Sequence, residues 1–328
     1  MAYLLLAVSF ALLLGGAVVF TNAVEWAGIR LGLGAGAVGS VLAATATALP
    51  ESVIPIVAIL SGDQSGQIAI GAILGAPFLL ATLGMLVIGV STHMFARRRD
   101  NDSKLAVHTP TTARDLIVFG VFIAVAGILG LIGNQSVNVV AAVVFLVAYG
   151  VYVWRTVGHG GEQQEEPRPL YFDPTKHDPP HNVTVVAQML VGVAAIVGGA
   201  EVFVTQVEGI AHQVGISPLV LALVLAPLAT ELPEKTNSVL WTRRGKDALA
   251  LGNVTGAMVF QSMVPVAVGL AFTPWSFTAP STLAVGCALA GGGLALYAVL
   301  RSRQFTRLSM AAWGVLYAGF VAYVGLAA

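Results

Sequence analysis

Ten stretches of roughly 20 or more mostly apolar residues run through this chain, each long enough to cross a bilayer as a helix. They cover about 2–23, 37–60, 67–95, 113–133, 136–156, 183–206, 216–241, 248–271, 279–300 and 308–327. The joining segments are short, except for 158–182 (GHGGEQQEEPRPLYFDPTKHDPPHN), which is polar and rich in proline. Charged residues make up 10% of the 328, against about 25% in soluble domains. The expected fold class is therefore an all-α polytopic membrane protein. The net charge is zero, which gives no handle for nucleic acid or an acidic partner. Membrane lipid is the expected surrounding. The single cysteine, Cys287, lies in an apolar run and excludes an internal disulfide or a cysteine metal site. The first apolar run lacks a basic leader and continues to Ala23, so it is expected to remain as a helix.

The positive charges separate cleanly. With ten spans, the loops after spans 1, 3, 5, 7 and 9 share one side. They carry Arg30; Arg97, Arg98, Arg99, Lys104 and Arg114; Arg155, Arg168 and Lys176; Arg243, Arg244 and Lys246; and Arg301, Arg303 and Arg307. The sixteenth, Lys235, falls inside span 7. Cytoplasmic loops hold the excess of Lys and Arg, so both termini are expected outside a cell membrane.

The chain also repeats. At an offset of 183, Gly15 and Gly16 fall on Gly198 and Gly199, Phe20 on Phe203, Glu25 on Glu208, Gly32 on Gly215, and Thr47 on Thr230. At 181, Gly71 and Gly75 fall on Gly252 and Gly256. Spans 1–3 recur as spans 6–8. Five spans separate the copies, an odd number, so the second is inverted. The expected organisation is two inverted five-helix repeats, residues 1–157 and 183–328, joined by a cytoplasmic loop at 158–182. Inverted repeats with broken helices are a transporter design, with the site near the midplane.

The repeats share Leu-Pro-Glu, at Leu49-Pro50-Glu51 and Leu232-Pro233-Glu234. Proline removes a backbone N–H and clashes with the preceding turn, so spans 2 and 7 are expected to be discontinuous. The carbonyls near Ala46 and Ala229 lose their partners. Hard cations take carboxylate, carbonyl and hydroxyl oxygens. Glu51 and Glu234, those carbonyls, and the hydroxyls of Thr47 and Thr230 supply all three. Each carboxylate at the bilayer centre costs about 2.5–3.5 kcal/mol on insertion scales, and two at matched positions argue for a site.

These signatures resemble the calcium/cation antiporter superfamily, most nearly its sodium/calcium exchanger branch. The family pattern of approximately Gly-Thr-Ser-Leu-Pro-Glu stands here as Ala46-Thr47-Ala48-Leu49-Pro50-Glu51 and Ala229-Thr230-Glu231-Leu232-Pro233-Glu234. The resemblance implies a site between spans 2, 3, 7 and 8, with the two glutamates on Ca2+. Flanking threonines, carbonyls and polar residues of spans 3 and 8 would help bind Na+. Gln261 stands where the family carries a ligating Asn or Asp, while the matching span-3 position is Leu80. Serines of the pattern are replaced by Ala48, Ala76 and Ala257. Fewer oxygens leave open a smaller Na+ complement, exchange against H+ through a buried carboxyl, or another divalent metal.

Glu231 has two readings. It is a third acidic ligand, or it pairs with Lys235 four residues on, a favourable helical spacing. The expected activity is secondary antiport of Ca2+ against Na+ or H+ by alternating access, with no cofactor. The rival is a decayed transporter fold serving as a sensor or structural subunit. There is no GxxxxGK[ST] for nucleotide and no nucleophile–base constellation, so an enzyme is not expected.

Overall fold

The computed structural model describes residues 2–30, 49–62, 66–98, 104–157, 169–173 and 180–326. For Ile29, Leu49, Arg98, Val157, Leu232, Pro233, Glu234 and Asn237 it describes the backbone alone.

The described chain is helical. In order, the helices are α1 (Ala2–Arg30), α2 (Leu49–Leu60) and α3 (Gly66–Leu79), which passes through a π-helical turn (Leu80–Gly84) into α4 (Met85–Met94). There follow α5 (Thr109–Ile132), α6 (Gln135–Val157), α7 (Asn182–Val214), α8 (Pro218–Thr230), α9 (Leu232–Arg243), α10 (Asp247–Phe272), α11 (Ala279–Arg301) and α12 (Arg307–Leu326). Among the described residues, eight segments are long and apolar enough to cross a membrane, with α3 and α4 counted as one. The shorter apolar helices Pro50–Leu60 and Pro218–Thr230 carry the Leu-Pro-Glu region and the turns before its repeat.

Apolar side chains face outward where lipid would lie. On α6, Val140, Val143, Val147 and Trp154 are more than half exposed. Polar groups such as Asp115, Gln188 and Thr255 are buried instead. That distribution suits a lipid solvent, in which a core cannot be built by apolar burial alone.

Small residues set the packing. α1 and α7 run antiparallel: Leu12 and Leu13 meet Gly199, Gly16 meets Gly192 and Ala195, and Phe20 meets Gly192. At 33 residues, α7 is about 50 Å long, well beyond the hydrocarbon thickness. α3 and α8 run parallel and closer still. A methyl group on Gly71 would sit 2.3 Å from the Leu219 carbonyl oxygen, and one on Gly75 2.3 Å from that of Leu223. Only glycine permits this approach, and the contact fixes α3 against the first half of α8. α5 and α11 are antiparallel, with Gly127 on Val285 and Phe119 on Gly292.

Candidate cation site

The apolar run expected as span 7 is interrupted at one residue. α8 ends at Thr230, Glu231 takes the cap position, and α9 begins at Leu232 with Pro233 in its first turn. Pro233 has no N–H, so the Ala229 carbonyl lacks the donor that the residue four positions on would supply. Backbone bonds from Glu231 N to Pro227 O (2.9 Å) and from Lys235 N to Glu231 O (3.2 Å) carry the chain across the interruption. In the first half, Pro50 and Glu51 lie in the opening turn of α2. The preceding residues, Ala46 and Thr47 among them, lie outside the described residues.

α2, α3 and α8 meet at a narrow crevice lined by Glu51, Ile54, Ala72, Ala76, Ala226, Pro227 and Thr230. Glu51 is 6% exposed and Thr230 3%. The Gly71 and Gly75 contacts explain why Ala72 and Ala76 reach this crevice, because they follow those glycines on the helix. Ala76 stands where the resemblance expects a serine, so the α3 wall is apolar. The Thr230 hydroxyl donates to the Ala226 carbonyl at 3.2 Å, which leaves its oxygen able to accept. Ala229 is fully buried.

Glu231 sits in a different setting. Its Oε2 accepts from Lys235 Nζ at 2.9 Å, the ion pair expected at this spacing. Its Oε1 accepts from Gln261 Nε2 of α10 at 2.5 Å. All three groups are buried, Glu231 at 1%, Gln261 at 2% and Lys235 at 8% exposure. Glu231 and Gln261, two of the residues expected as cation ligands, therefore engage one another. The Glu234 side chain lies outside the described atoms, and its backbone falls in the first turn of α9. Leu80, the span-3 counterpart of Gln261, opens the π-helical turn and is fully buried among apolar side chains.

Two buried polar clusters escaped the reading of the sequence. In the first, Asp115 of α5 accepts from Tyr152 of α6 (2.9 Å), Thr255 of α10 (3.3 Å) and its neighbour Arg114 (3.0 Å). A carboxylate within an apolar helix is the signal that could have found it. In the second, Gln188 of α7 donates to Asn22 Oδ1 and to the Val19 carbonyl of α1, both at 2.9 Å. The same two amides accept the backbone N–H groups of Tyr171 (3.3 Å) and Phe172 (2.9 Å). A segment of the polar loop is thus fastened onto the α1–α7 pair, with Leu170 packed near Trp26 and Val185.

A bundle of apolar helices long enough to cross a membrane, with a buried glutamate beside a broken helix, is a secondary-transporter arrangement. The model of the sodium/calcium exchanger protein family matches residues 1–158 and 184–326, and the chain belongs to that family. Among its relatives, membrane protein MJ0091 of Methanocaldococcus jannaschii is 27% identical over 72% of this chain and 70% of its own. A chain named as an antiporter, CaxA of Alkalimonas amylolytica, is 24% identical over 87% of this chain and 86% of its own. In fold, the chain is similar to the crystal structure of the H+/Ca2+ exchanger CAX, with a TM-score of 0.75 at 16% identity over 98% of this chain and 86% of that one. It is also similar to the sodium-calcium exchanger NCX_Mj, with a TM-score of 0.62 at 21% identity over 98% and 97%.

Proposed function

We propose that this protein exchanges Ca2+ for a monovalent coupling cation, Na+ or H+, by alternating access, with Glu51 and Glu234 as its central ligands. The observation that carries the reading is Glu51: a glutamate 6% exposed, facing Thr230 across the crevice at the interrupted helix. A carboxylate at that depth is costly without a cation or proton to neutralise it. Thr47 and Thr230 would add hydroxyls, and Ala46 and Ala229 carbonyls freed by the prolines. Ca2+ needs six to eight oxygens, which these groups and retained waters would make up.

The proposed frame has ten spans in two inverted repeats, residues 1–157 and 183–328, with both termini outside and 158–182 cytoplasmic. Helix directions support it. Spans 1 and 6 are antiparallel, as are spans 4 and 9, while span 3 is parallel to the first half of span 7. An alternating ten-span chain requires those directions. The Lys and Arg distribution gives the orientation.

Radiotracer Ca2+ uptake into proteoliposomes tests the function, with an outward Na+ gradient, an outward H+ gradient and none. Uptake driven by one gradient, and absent in Glu51→Gln and Glu234→Gln, is expected and names the coupling ion. Folded protein that moves no Ca2+ under either gradient overturns the reading.

A further inference from the structure

We propose that Glu231, Gln261 and Lys235 form a monovalent-cation position of their own, and that the Lys235 ammonium is its tethered occupant. The position adjoins the Glu51 crevice, since Thr230 lines that crevice and Glu231 is the next residue. Its part in exchange rests on the antiport reading above, whereas its ability to hold a cation does not.

Three observations carry it. The ammonium lies 2.9 Å from Glu231 Oε2 and is 8% exposed, so a positive charge is held inside the membrane span. The second carboxylate oxygen is held by the Gln261 amide nitrogen of α10. On that same amide, Oε1 is buried and has no hydrogen-bond partner among the described residues. Buried acceptors are rarely left unmet, and an acceptor beside a carboxylate with no N–H or O–H aimed at it is suited to a cation. Removing the ammonium leaves one released carboxylate oxygen and one unmet amide oxygen, the hard oxygen donors that a Na+-sized ion takes.

Lys235 therefore stands where a diffusible ion would otherwise be required. Glu231 is already neutralised by the chain itself, so it calls for no exchanged ion. The internal charge travels with the protein, so it cannot be released at either face. A position filled in this way adds nothing to the number of monovalent cations exchanged per Ca2+.

The test removes the tether and offers replacements. Lys235→Ala is purified as the full chain in Na+, ammonium or choline at equal ionic strength, and thermal unfolding is measured beside wild type and Glu231→Gln/Lys235→Ala. In the single variant, Na+ or ammonium is expected to raise Tm over choline by more than it does in wild type. Choline is too large for the position. In the double variant the additional rise should vanish. Recovery of folded Lys235→Ala in Na+ or ammonium but not in choline is the same result read as yield. A cation response equal to wild type, or equal failure in all three salts, overturns the proposal. Ca2+ uptake by wild type is followed in parallel. Its absence removes the antiport reading and leaves the cation position standing, while its presence with no cation response does the reverse.

Discussion

The Tyr152 hydroxyl of α6 donates to Asp115 Oδ1 of α5 at 2.9 Å, and Thr255 of α10 reaches Oδ2 of the same carboxylate. One acidic side chain thus ties together three helices from both halves of the chain. α10 carries Gln261 further along its length, so the Asp115 junction anchors a helix that also meets Glu231.

Tyr152→Phe leaves the Asp115 carboxylate short of a donor in a buried setting. The expected loss is about 1–3 kcal/mol, read as a lower Tm in detergent. Thr255→Val should cost less, because its bond is longer. A double variant whose losses simply add would show that the two donors do not cooperate through Asp115.

Gly75→Ala should be severe. Its new methyl would lie 2.3 Å from the Leu223 carbonyl oxygen and 2.7 Å from the Pro227 ring, so α3 and α8 must part. Ca2+ uptake is expected to fall at least about tenfold, which corresponds to about 1.4 kcal/mol. Gly150→Ala meets nothing within 4 Å and should be neutral or gain about 0.5–1 kcal/mol from better helix propensity. Equal behaviour of the two variants would argue against the close seam.

Glu51→Gln keeps the size of the side chain and removes its charge. Uptake should drop by more than about tenfold, with folded protein recovered in normal yield. The variant then presents no charge at that depth for Ca2+ to offset. It should also lose the stabilisation that added Ca2+ gives wild type. Ca2+ stabilisation that survives the substitution would remove Glu51 from the ligand set.

Gln188→Leu should release the loop segment. Hydrogen exchange at the Tyr171 and Phe172 amides, both bonded to the Asn22–Gln188 pair, is expected to accelerate. Amides in α10 should be unaffected. Unchanged protection of the two amides would show that the segment is held by Leu170 packing alone.

Much of this architecture is legible in the residues. Long apolar runs mark spans, and Pro233 lies at the interruption after α8, whereas Pro77, Pro227 and Pro265 sit inside continuous helices, so proline alone does not locate the break. The spacing of Glu231 and Lys235 allows their pairing, yet only the packed chain brings Gln261 to the same carboxylate, across 30 positions of sequence. Asp115 stands out as a carboxylate in an apolar run, but its partners do not, as Thr255 is 140 residues away. The π-helical turn at Leu80–Gly84 has no signature among its residues. It coincides with a backbone approach from α11, where a methyl on Gly291 would come within 2.3 Å of the Ala81 oxygen. Residues 170–172 look from composition like ordinary polar loop, and their docking depends on amides in α1 and α7.

The α3–α8 seam also limits how this molecule can move. Where one main chain lies directly on another, at Gly71 and Gly75, the nearest side chains are Ala222 and Pro227, which have no χ1 rotamers to switch, and so the seam has no second packing to slip into. The two helices behave as a single stiff strut. Any widening of the crevice at Glu51 must come from its other edges, where Ile54 and the residues of α2 interpose deformable side chains between backbones. The glycines that close this wall thereby choose which wall can open.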